Sequence, residues 1–292
     1  MNFKNILKTI LLIFLVSFYA CDRDTNSEEN SDSDVIDNPV DYTLTTKNIA
    51  ISQTIEGITE SRSVIIQTPN IVDLTKNYPI VFAFHGNGGT NTSWVNRLRE
   101  FTNSGEYVGI YPQGFLKSWN LGQEASSADD VAFVDLIIDE LQKYNNLNFD
   151  KMYAIGTSNG SGMVNKLGIE TNHFKAIAPV VSQLMESSPL LPNTQPISVY
   201  QINGAADTTI PIDGGPRFGH VFLDAAESAA LWANHFSCNQ NPEIQTLGAD
   251  TLSIYTVCDN SKEIRYLRVE NGGHGLLNST MIADIWTFFQ RF

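Results

Sequence analysis

The chain has 292 residues, of which 42% are hydrophobic, and a formal net charge of -14 at pH 7. This length and apolar content suffice for one large core or two smaller ones. The acidic balance argues against binding to nucleic acid and against peripheral binding to anionic lipid surfaces.

The N-terminus has the pattern of an export signal. Two lysines precede an apolar run over residues 10–19, which is too short to span a bilayer as a stable helix. Ala20 then stands directly before Cys21, as in a bacterial lipobox whose cysteine receives a lipid, although ordinary cleavage near Ala20 is an alternative. We predict that residues 1–21 are a signal peptide with a lipidated Cys21. The exported protein would be anchored at the periplasmic or cell-surface side of a membrane, or else secreted.

The stretch that follows differs in composition from the remainder of the chain. Residues 22–40 carry seven acidic side chains and one arginine, and they contain almost no large apolar residue. Such a segment cannot offset the entropy of its own ordering, so we predict a disordered tether over residues 22–41. Residues 42–292 contain no second linker, low-complexity tract or repeat, and we predict one domain there. Any membrane contact would be made through the N-terminal lipid alone.

Short β-rich runs alternate with helical patterns throughout this domain, and each run ends in polar or glycine residues. Several runs are apolar almost throughout, which is typical of a mostly parallel sheet with helices on both faces. We therefore predict an α/β fold, with its ligand beyond the carboxyl ends of the strands. The predicted strands are 63–69, 79–86, 107–114, 151–158, 175–182, 197–204 and 264–271, and the predicted helices are 130–144, 224–236 and 280–291.

A glycine-rich loop follows the second predicted strand, in FAFHGNGGT at residues 82–90. Backbone N–H groups of such a loop can approach a substrate closely and stabilise the negative charge that develops on an attacked ester carbonyl. A phosphate-binding loop is the rival interpretation, but no lysine follows the glycines. We expect Asn87, or else Gly88, to supply one N–H of an oxyanion hole and Asn159 to supply the other. His85 is expected to brace the loop by hydrogen bonding.

Residues 156–160 read GTSNG, which places Ser158 between a predicted strand and a run of small residues suited to a helix. A serine in this G-x-S-x-G pattern sits on a strained turn above the end of the sheet, although the pentapeptide alone is also compatible with a plain loop. Because a serine hydroxyl is a weak nucleophile, catalysis would require a histidine base and a carboxylate that orients it.

His274 is the best candidate for the base, since it follows the last predicted strand in NGGHG, where glycines allow a loop to carry the imidazole over the sheet edge. The carboxylate candidate is Asp207, which follows the strand at 197–204. Asp213 competes with it, although Asp-Gly-Gly is more typical of a turn. The remaining histidines lie in segments with no comparable setting: His173, His220 and His235.

The chain order of serine, aspartate and histidine is that of the α/β-hydrolase sheet.

The three cysteines can be assigned to two roles that suit an exported protein. If Cys21 carries lipid, Cys238 and Cys258 remain to form a disulfide across 20 residues, which would contribute about 3 kcal/mol to stability.

Five stretches resemble, in chain order, motifs of the secreted polyhydroxybutyrate depolymerase, feruloyl esterase and acetylxylan esterase group, which overlaps the first carbohydrate esterase family. The likeness covers residues 62–275. It implies the α/β-hydrolase fold, no metal or organic cofactor, and Ser158, Asp207 and His274 as nucleophile, orienting acid and base. The stretches are HGNGGTNTSW, YPQG with SWN, residues 129–163, residues 202–215 and NGGHG.

Trp119 and Asn120 match a Trp-Asn pair of that group, and with Trp94 they are candidates for contact with an acyl group or sugar ring. Burial of the tryptophans in the core is the alternative. The chain departs from the group at Ser161 and Gly162, where a methionine is frequent, and at residues 276–277, where a tryptophan is frequent.

These patterns predict a serine carboxylic ester hydrolase that acts through an acyl-enzyme, with feruloyl or acetyl esters of plant polysaccharide as the expected substrates. Depolymerisation of polyhydroxybutyrate or another polyester is an alternative, as is cleavage of peptides. A lipoprotein that binds a ligand without chemistry is a further alternative of a different class.

Overall fold

The computed structural model describes residues 42–292, and the signal peptide, Cys21 and tether predicted for residues 1–41 lie outside the described residues. The described strands are β1 (Lys47–Ile55), β2 (Ile58–Gln67), β3 (Tyr78–Phe84), β4 (Val108–Pro112), β5 (Leu147–Thr157), β6 (Ala176–Val180), β7 (Ser198–Gly204), β8 (Gly215–Arg217), β9 (His220–Phe222), β10 (Glu243–Leu247), β11 (Asp250–Tyr255) and β12 (Ile264–Val269). The helices are α1 (Ser93–Ser104), α2 (Asp130–Leu141), α3 (Asn159–Glu170), α4 (Ala225–His235) and α5 (Ser279–Phe289).

A ten-stranded sheet dominates the fold, in the order β1-β2-β4-β3-β5-β6-β7-β12-β11-β10. The six central strands, from β4 to β12, pair in parallel. Antiparallel strands extend the sheet at both edges. The predicted α/β class and every predicted strand and helix are confirmed, with small differences at their ends.

The sequence prediction missed the two edges of the sheet. Strand β1 is half exposed in an alternating pattern, and β10 is exposed along its whole length. Neither therefore carries the continuous apolar signal of the central strands. The short hairpin β8–β9 and helix α1 were also missed, and α1 begins without a side-chain cap.

Helices cover both faces of the sheet, as predicted. Phe133, Met163 and Trp232 represent α2, α3 and α4 in one buried apolar layer. Trp94 and Trp286 represent α1 and α5 in the other layer. Among residues 42–292, no helix combines the length and the apolar character needed to cross a membrane.

Parallel strands bring the residues at their carboxyl ends to one edge of the sheet. His85 follows β3, Ser158 follows β5, Asp207 follows β7 and His274 follows β12. The predicted disulfide between Cys238 and Cys258 is present, and it joins the segment after α4 to the segment after β11.

Candidate active site

Ser158 occupies the sharp turn between β5 and α3. Its backbone has φ 57° and ψ -123°, a conformation that residues with a side chain rarely adopt, and its N–H donates to the carbonyl of Val180 at 3.1 Å. A Cβ at Gly156 would lie 2.1 Å from the Gly160 carbonyl oxygen, and one at Gly160 would lie 2.2 Å from the Phe84 carbonyl oxygen. Both flanking glycines are therefore required for the turn to pack against its neighbours.

His274 bridges the serine and an aspartate. Its Nε2 lies 2.9 Å from Ser158 Oγ, and its Nδ1 lies 2.8 Å from Asp207 Oδ2. The other carboxylate oxygen of Asp207 accepts the N–H groups of Thr209 and Ile210 at 2.8 and 3.0 Å. Because Nδ1–H donates to the carboxylate, the neutral imidazole presents an unprotonated Nε2 that accepts from the serine hydroxyl. Asp213, the competing carboxylate, is exposed to solvent.

Two close approaches of the backbone hold this arrangement. The N–H of Ala206 donates to the carbonyl of Gly272 at 3.0 Å, and the N–H of Ala205 donates to Val269 at 2.9 Å. A Cβ at Gly204 would lie 2.1 Å from the Gly272 oxygen, so only glycine permits the contact. The loop that carries Asp207 and the loop that carries His274 are thus joined by their main chains.

The glycine-rich loop after β3 is braced from below by His85, as the sequence predicts. Its Nδ1–H donates to the Gly86 carbonyl at 2.8 Å, and its Nε2 accepts from the backbone N–H of Gly114 and the side chain of Gln113, both at 3.0 Å. Burial lowers the pKa of His85, and the nearby positive charge of Arg62 adds to this effect. A neutral ring suits these bonds, because Nε2 is then free of a proton.

Asn87 lies in the wall of the cavity beside Ser158, Asn159 and His274. The N–H of Gly88 already donates to the carbonyl of Lys117 at 2.8 Å. Of the two loop amides considered from the sequence, the structure therefore leaves that of Asn87 as the candidate oxyanion donor. Asn159 is the first residue of α3, and the first N–H groups of a helix have no intrahelical acceptor.

The side chain of Asn159 fixes the start of α3 to the loop after β4. Its Oδ1 accepts the backbone N–H of Trp119 at 2.7 Å, and its Nδ2 donates to the Trp119 carbonyl at 2.9 Å and to Glu124 Oε1 at 3.2 Å. These paired bonds orient the residue that follows the serine.

The expectation that Trp119 contacts substrate is wrong. Its side chain is fully buried, its indole N–H donates to the carbonyl of His85 at 2.8 Å, and its ring packs edge-on against Phe84. No surface of the indole remains for a ligand. Trp119 instead supports the loop that carries Asn87.

Asn120 and Trp94 also need correction as candidate substrate contacts. The side chain of Asn120 donates to the Ala128 carbonyl at 3.0 Å and accepts the Gly122 N–H at 3.1 Å, so its polar atoms shape their own loop. Trp94 lies on α1, is 1% exposed and packs in the core layer that α1 shares with α5. Neither residue lines the cavity that holds Ser158.

A buried ion pair lies behind the Trp119 loop. Arg62 donates to Asp130 Oδ1 at 2.7 Å, and Asp130 Oδ2 accepts the backbone N–H of Asn120 at 2.7 Å. Burial lowers the pKa of Arg62 and raises the pKa of Asp130, and the attraction between the two charges opposes both shifts. The pair connects β2 and α2 to the loop that braces Asn159.

The cavity above Ser158 has a volume of about 470 Å³. The sequence predicted only Asn87, Ser158, Asn159 and His274 of its wall, and among the residues that it missed are Glu124, Phe218 and His220. Glu124 lies in a polar loop, and no local pattern indicates that it pairs with His220, which is 96 residues away. The full lining is Asn87, Leu121, Gln123, Glu124, Ala125, Ser158, Asn159, Ser182, Thr209, Ile210, Phe218, His220, Phe222 and His274.

Within the described range, no group of three or more histidine, cysteine, aspartate or glutamate side chains is arranged to hold a metal ion. The sheet order, the strained serine turn and the placement of the serine, aspartate and histidine at strand ends define the chain as a protein of the α/β-hydrolase fold.

Within this fold class, the chain is similar to feruloyl and acetylxylan esterases. It is 24% identical over 249 residues to feruloyl esterase B of Piromyces equi, covering 79% of this chain and 45% of that protein. It is 23% identical over 248 residues to a bifunctional acetylxylan esterase/xylanase of Neocallimastix patriciarum, covering 79% and 33%. It is 22% identical over 257 residues to a probable feruloyl esterase C of Aspergillus niger, covering 83% and 88%.

The chain thus spans less than half the length of the first two of these proteins. Solved structures with the same fold include an acetyl xylan esterase from Aspergillus awamori, with a TM-score of 0.57, 12% identity and coverage of 83% of this chain and 99% of that one. A ferulic acid esterase matches with a TM-score of 0.53, 14% identity and coverage of 85% and 98%. Comparison with models of protein families finds none that matches.

Proposed function

We propose that residues 42–292 form the catalytic domain of a serine carboxylic ester hydrolase, with Ser158 as nucleophile, His274 as general base and Asp207 as the group that orients His274. The observation that carries the proposal is the continuous chain of hydrogen bonds from Asp207 through His274 to Ser158, with distances of 2.8 and 2.9 Å. A ligand-binding protein without chemistry would have no need of a serine held on a strained turn within reach of a base.

The reaction proceeds in two steps. Ser158 Oγ attacks the ester carbonyl carbon while His274 Nε2 takes the hydroxyl proton. The oxyanion is stabilised by the N–H groups of Asn87 and Asn159. When the tetrahedral intermediate collapses, the bond to the alcohol breaks and His274 returns the proton to the departing oxygen. Water, deprotonated by His274, then attacks the acyl-enzyme and releases the acid. Asp207 stabilises the imidazolium that forms in each step.

Feruloyl or acetyl esters of plant polysaccharide are the substrates that we favour. The names of the similar proteins support this class. The cavity supports it too, because Leu121, Ile210 and Phe222 supply apolar surface beside the polar groups around Ser158.

Export belongs to the same proposal. The disulfide between Cys238 and Cys258 supports it, because disulfides persist in oxidising compartments. Anchoring through a lipid on Cys21 would hold the enzyme at the cell surface, where it can act on large insoluble glycans. Labelling with a radioactive fatty acid, compared between the full chain and its Cys21→Ala variant, tests the anchor.

Replacement of the nucleophile tests the reaction. We expect Ser158→Ala to fold normally and to lose about 10⁴-fold or more of the turnover on 4-nitrophenyl acetate. A fluorophosphonate should add to the Ser158 peptide of the wild-type protein and leave the variant unlabelled. Ser104→Ala, at an exposed serine that ends α1, is the matched control and should keep full turnover. Near wild-type activity in Ser158→Ala would remove the assignment.

Relative turnover tests the substrate class. We expect methyl ferulate or acetylated xylan to be hydrolysed faster than a soluble hydroxybutyrate trimer. Preference for the trimer would favour a polyester substrate instead.

A further inference from the structure

Strands β8 and β9 form a hairpin whose residues Phe218, His220 and Phe222 line the cavity. Arg217 pairs with His220, so the turn consists of Phe218 and Gly219. Both turn residues have positive φ, 52° and 81°. Two-residue turns of this kind favour asparagine, aspartate or glycine at their first position, because a bulky side chain is strained there. Phenylalanine is therefore energetically unfavourable at the first position of this turn.

The side chain of Phe218 is too exposed for packing to offset much of this strain. Its side chain is 68% exposed, among the large apolar residues most open to solvent in the described part of the chain. It also lines the cavity that contains Ser158 and His274. An aromatic residue that is both strained and exposed at the mouth of an active site points to contact with a ligand, since strain of this kind is retained at ligand-binding positions.

The position of the hairpin is fixed by a polar contact to the opposite loop. The ring of His220 is 5% exposed and donates from Nε2 to Glu124 Oε1 at 3.0 Å. The second oxygen of Glu124 accepts the backbone N–H of Leu121 at 2.8 Å. Since Glu124 Oε1 also accepts from Asn159, the hairpin and the residue after the nucleophile share one carboxylate.

Apolar and main-chain contacts complete the support. Phe222 packs with Met185 and Ile210 in a small apolar cluster beside the cavity. The N–H of Glu186 donates to the carbonyl of Val221 at 3.0 Å. These contacts hold β9, while Phe218 at the tip is exposed, as are Pro216 and Arg217 on β8.

We propose that Phe218 is a specificity-determining residue whose ring binds a flat ring of the ester substrate, and that Glu124 and His220 are positioning residues that hold it over the cavity. This rests on the proposed ester hydrolysis. Aromatic faces prefer offset-stacked or edge-on contact with other rings, and a small acyl or alkyl group cannot make that contact. The ring belongs either to the acyl part of the ester or to its alcohol part.

Three esters distinguish these sources: methyl ferulate has its ring in the acyl part, 4-nitrophenyl acetate has its ring in the alcohol part, and methyl acetate has none. For Phe218→Ala, we expect kcat/KM on one ring-bearing ester to fall about tenfold relative to methyl acetate. The ester affected identifies the side of the substrate that Phe218 contacts. Phe218→Tyr, which retains the ring, should keep the wild-type ratio.

Phe218→Asn separates binding from folding. Asparagine suits a left-handed turn, so this variant should match or exceed the wild-type melting temperature and still lose the tenfold preference. The matched control is Val257→Ala, at a large apolar residue that is 80% exposed with φ 58° but lies between β11 and β12, away from the cavity.

The ratio should be unchanged in the control. Equal changes on all three esters, or no change on any, would overturn the role of Phe218 while leaving ester hydrolysis intact. A wild-type protein that hydrolyses none of the three esters would remove the proposed function as well.

Discussion

The two walls of the cavity are built in different ways. The wall that carries Asn87 stands on buried groups, since His85 and Trp119 are at most 1% exposed and the Arg62–Asp130 ion pair lies behind them. The hairpin wall ends in an exposed aromatic ring and reaches the opposite loop through Glu124. N–H donors that stabilise an oxyanion must be rigid before the reaction begins. A wall that contacts the variable part of a substrate must be placed correctly, but it needs less rigid support.

If both walls act on a substrate attacked by Ser158, loss of the acid that orients His274 should abolish most of the activity even though both walls are intact. We expect Asp207→Asn to lower kcat/KM about 10⁴-fold. With its oxygen kept on the N–H groups of Thr209 and Ile210, the asparagine would turn its NH₂ toward His274 Nδ1. The imidazole would then carry its proton on Nε2, where it cannot accept from Ser158.

The neighbouring acid provides the control for this measurement. Asp213→Asn makes the same change at an exposed position and should leave steady-state kinetics close to wild type. A larger loss from Asp213→Asn than from Asp207→Asn would transfer the role to Asp213.

The Arg62–Asp130 ion pair behind the wall that carries Asn87 should contribute mainly to stability. Asp130→Asn leaves the charge of Arg62 buried without a partner, so we expect urea unfolding to show a loss of about 3–5 kcal/mol. Asp129→Asn is the matched control, because Asp129 caps α2 by accepting the N–H of Ala132 at 3.0 Å and asparagine caps a helix equally well. Similar small losses in both variants would mean that the buried pair does not set the rigidity of this wall.

A change in the contacts of the β8–β9 hairpin should affect kinetics more than stability. The carboxylate of Glu124 accepts N–H groups from Leu121, Gln123, Asn159 and His220, and an amide has only one oxygen to replace its two. We expect Glu124→Gln to lower kcat/KM on the preferred ring-bearing ester about tenfold, equivalent to about 1.4 kcal/mol, with a loss of unfolding free energy of about 1 kcal/mol.

Glu186→Gln removes the same charge from an exposed residue that supports the hairpin through its backbone, and its kinetics should stay near wild type. If Glu124→Gln lost several kcal/mol of unfolding free energy and kept its kinetics, the contacts of the hairpin would contribute to stability in the same way as the Arg62–Asp130 pair.

Local patterns were informative wherever a short segment dictates its own conformation. The glycines around Ser158 predict a sharp turn because no side chain fits beside it, and the strand-end loops predict that Asp207 and His274 reach the same edge. The tryptophans were misjudged for the opposite reason. Whether Trp119 faces a cavity or the core depends on Phe84 and His85, which are more than thirty residues away in the chain.

By itself, the sequence predicted the class of fold, the central strands and the loops that follow them, the disulfide partners and the residues with reactive side chains. These follow from hydrophobic periodicity, turn chemistry and the small number of suitable groups. Only the tertiary structure shows that Asp207 lies within hydrogen-bond distance of His274, that the N–H of Gly88 donates to Lys117, and that His220 pairs with Glu124. Each of those contacts depends on hydrogen-bond distances between loops far apart in the chain, which no local pattern encodes.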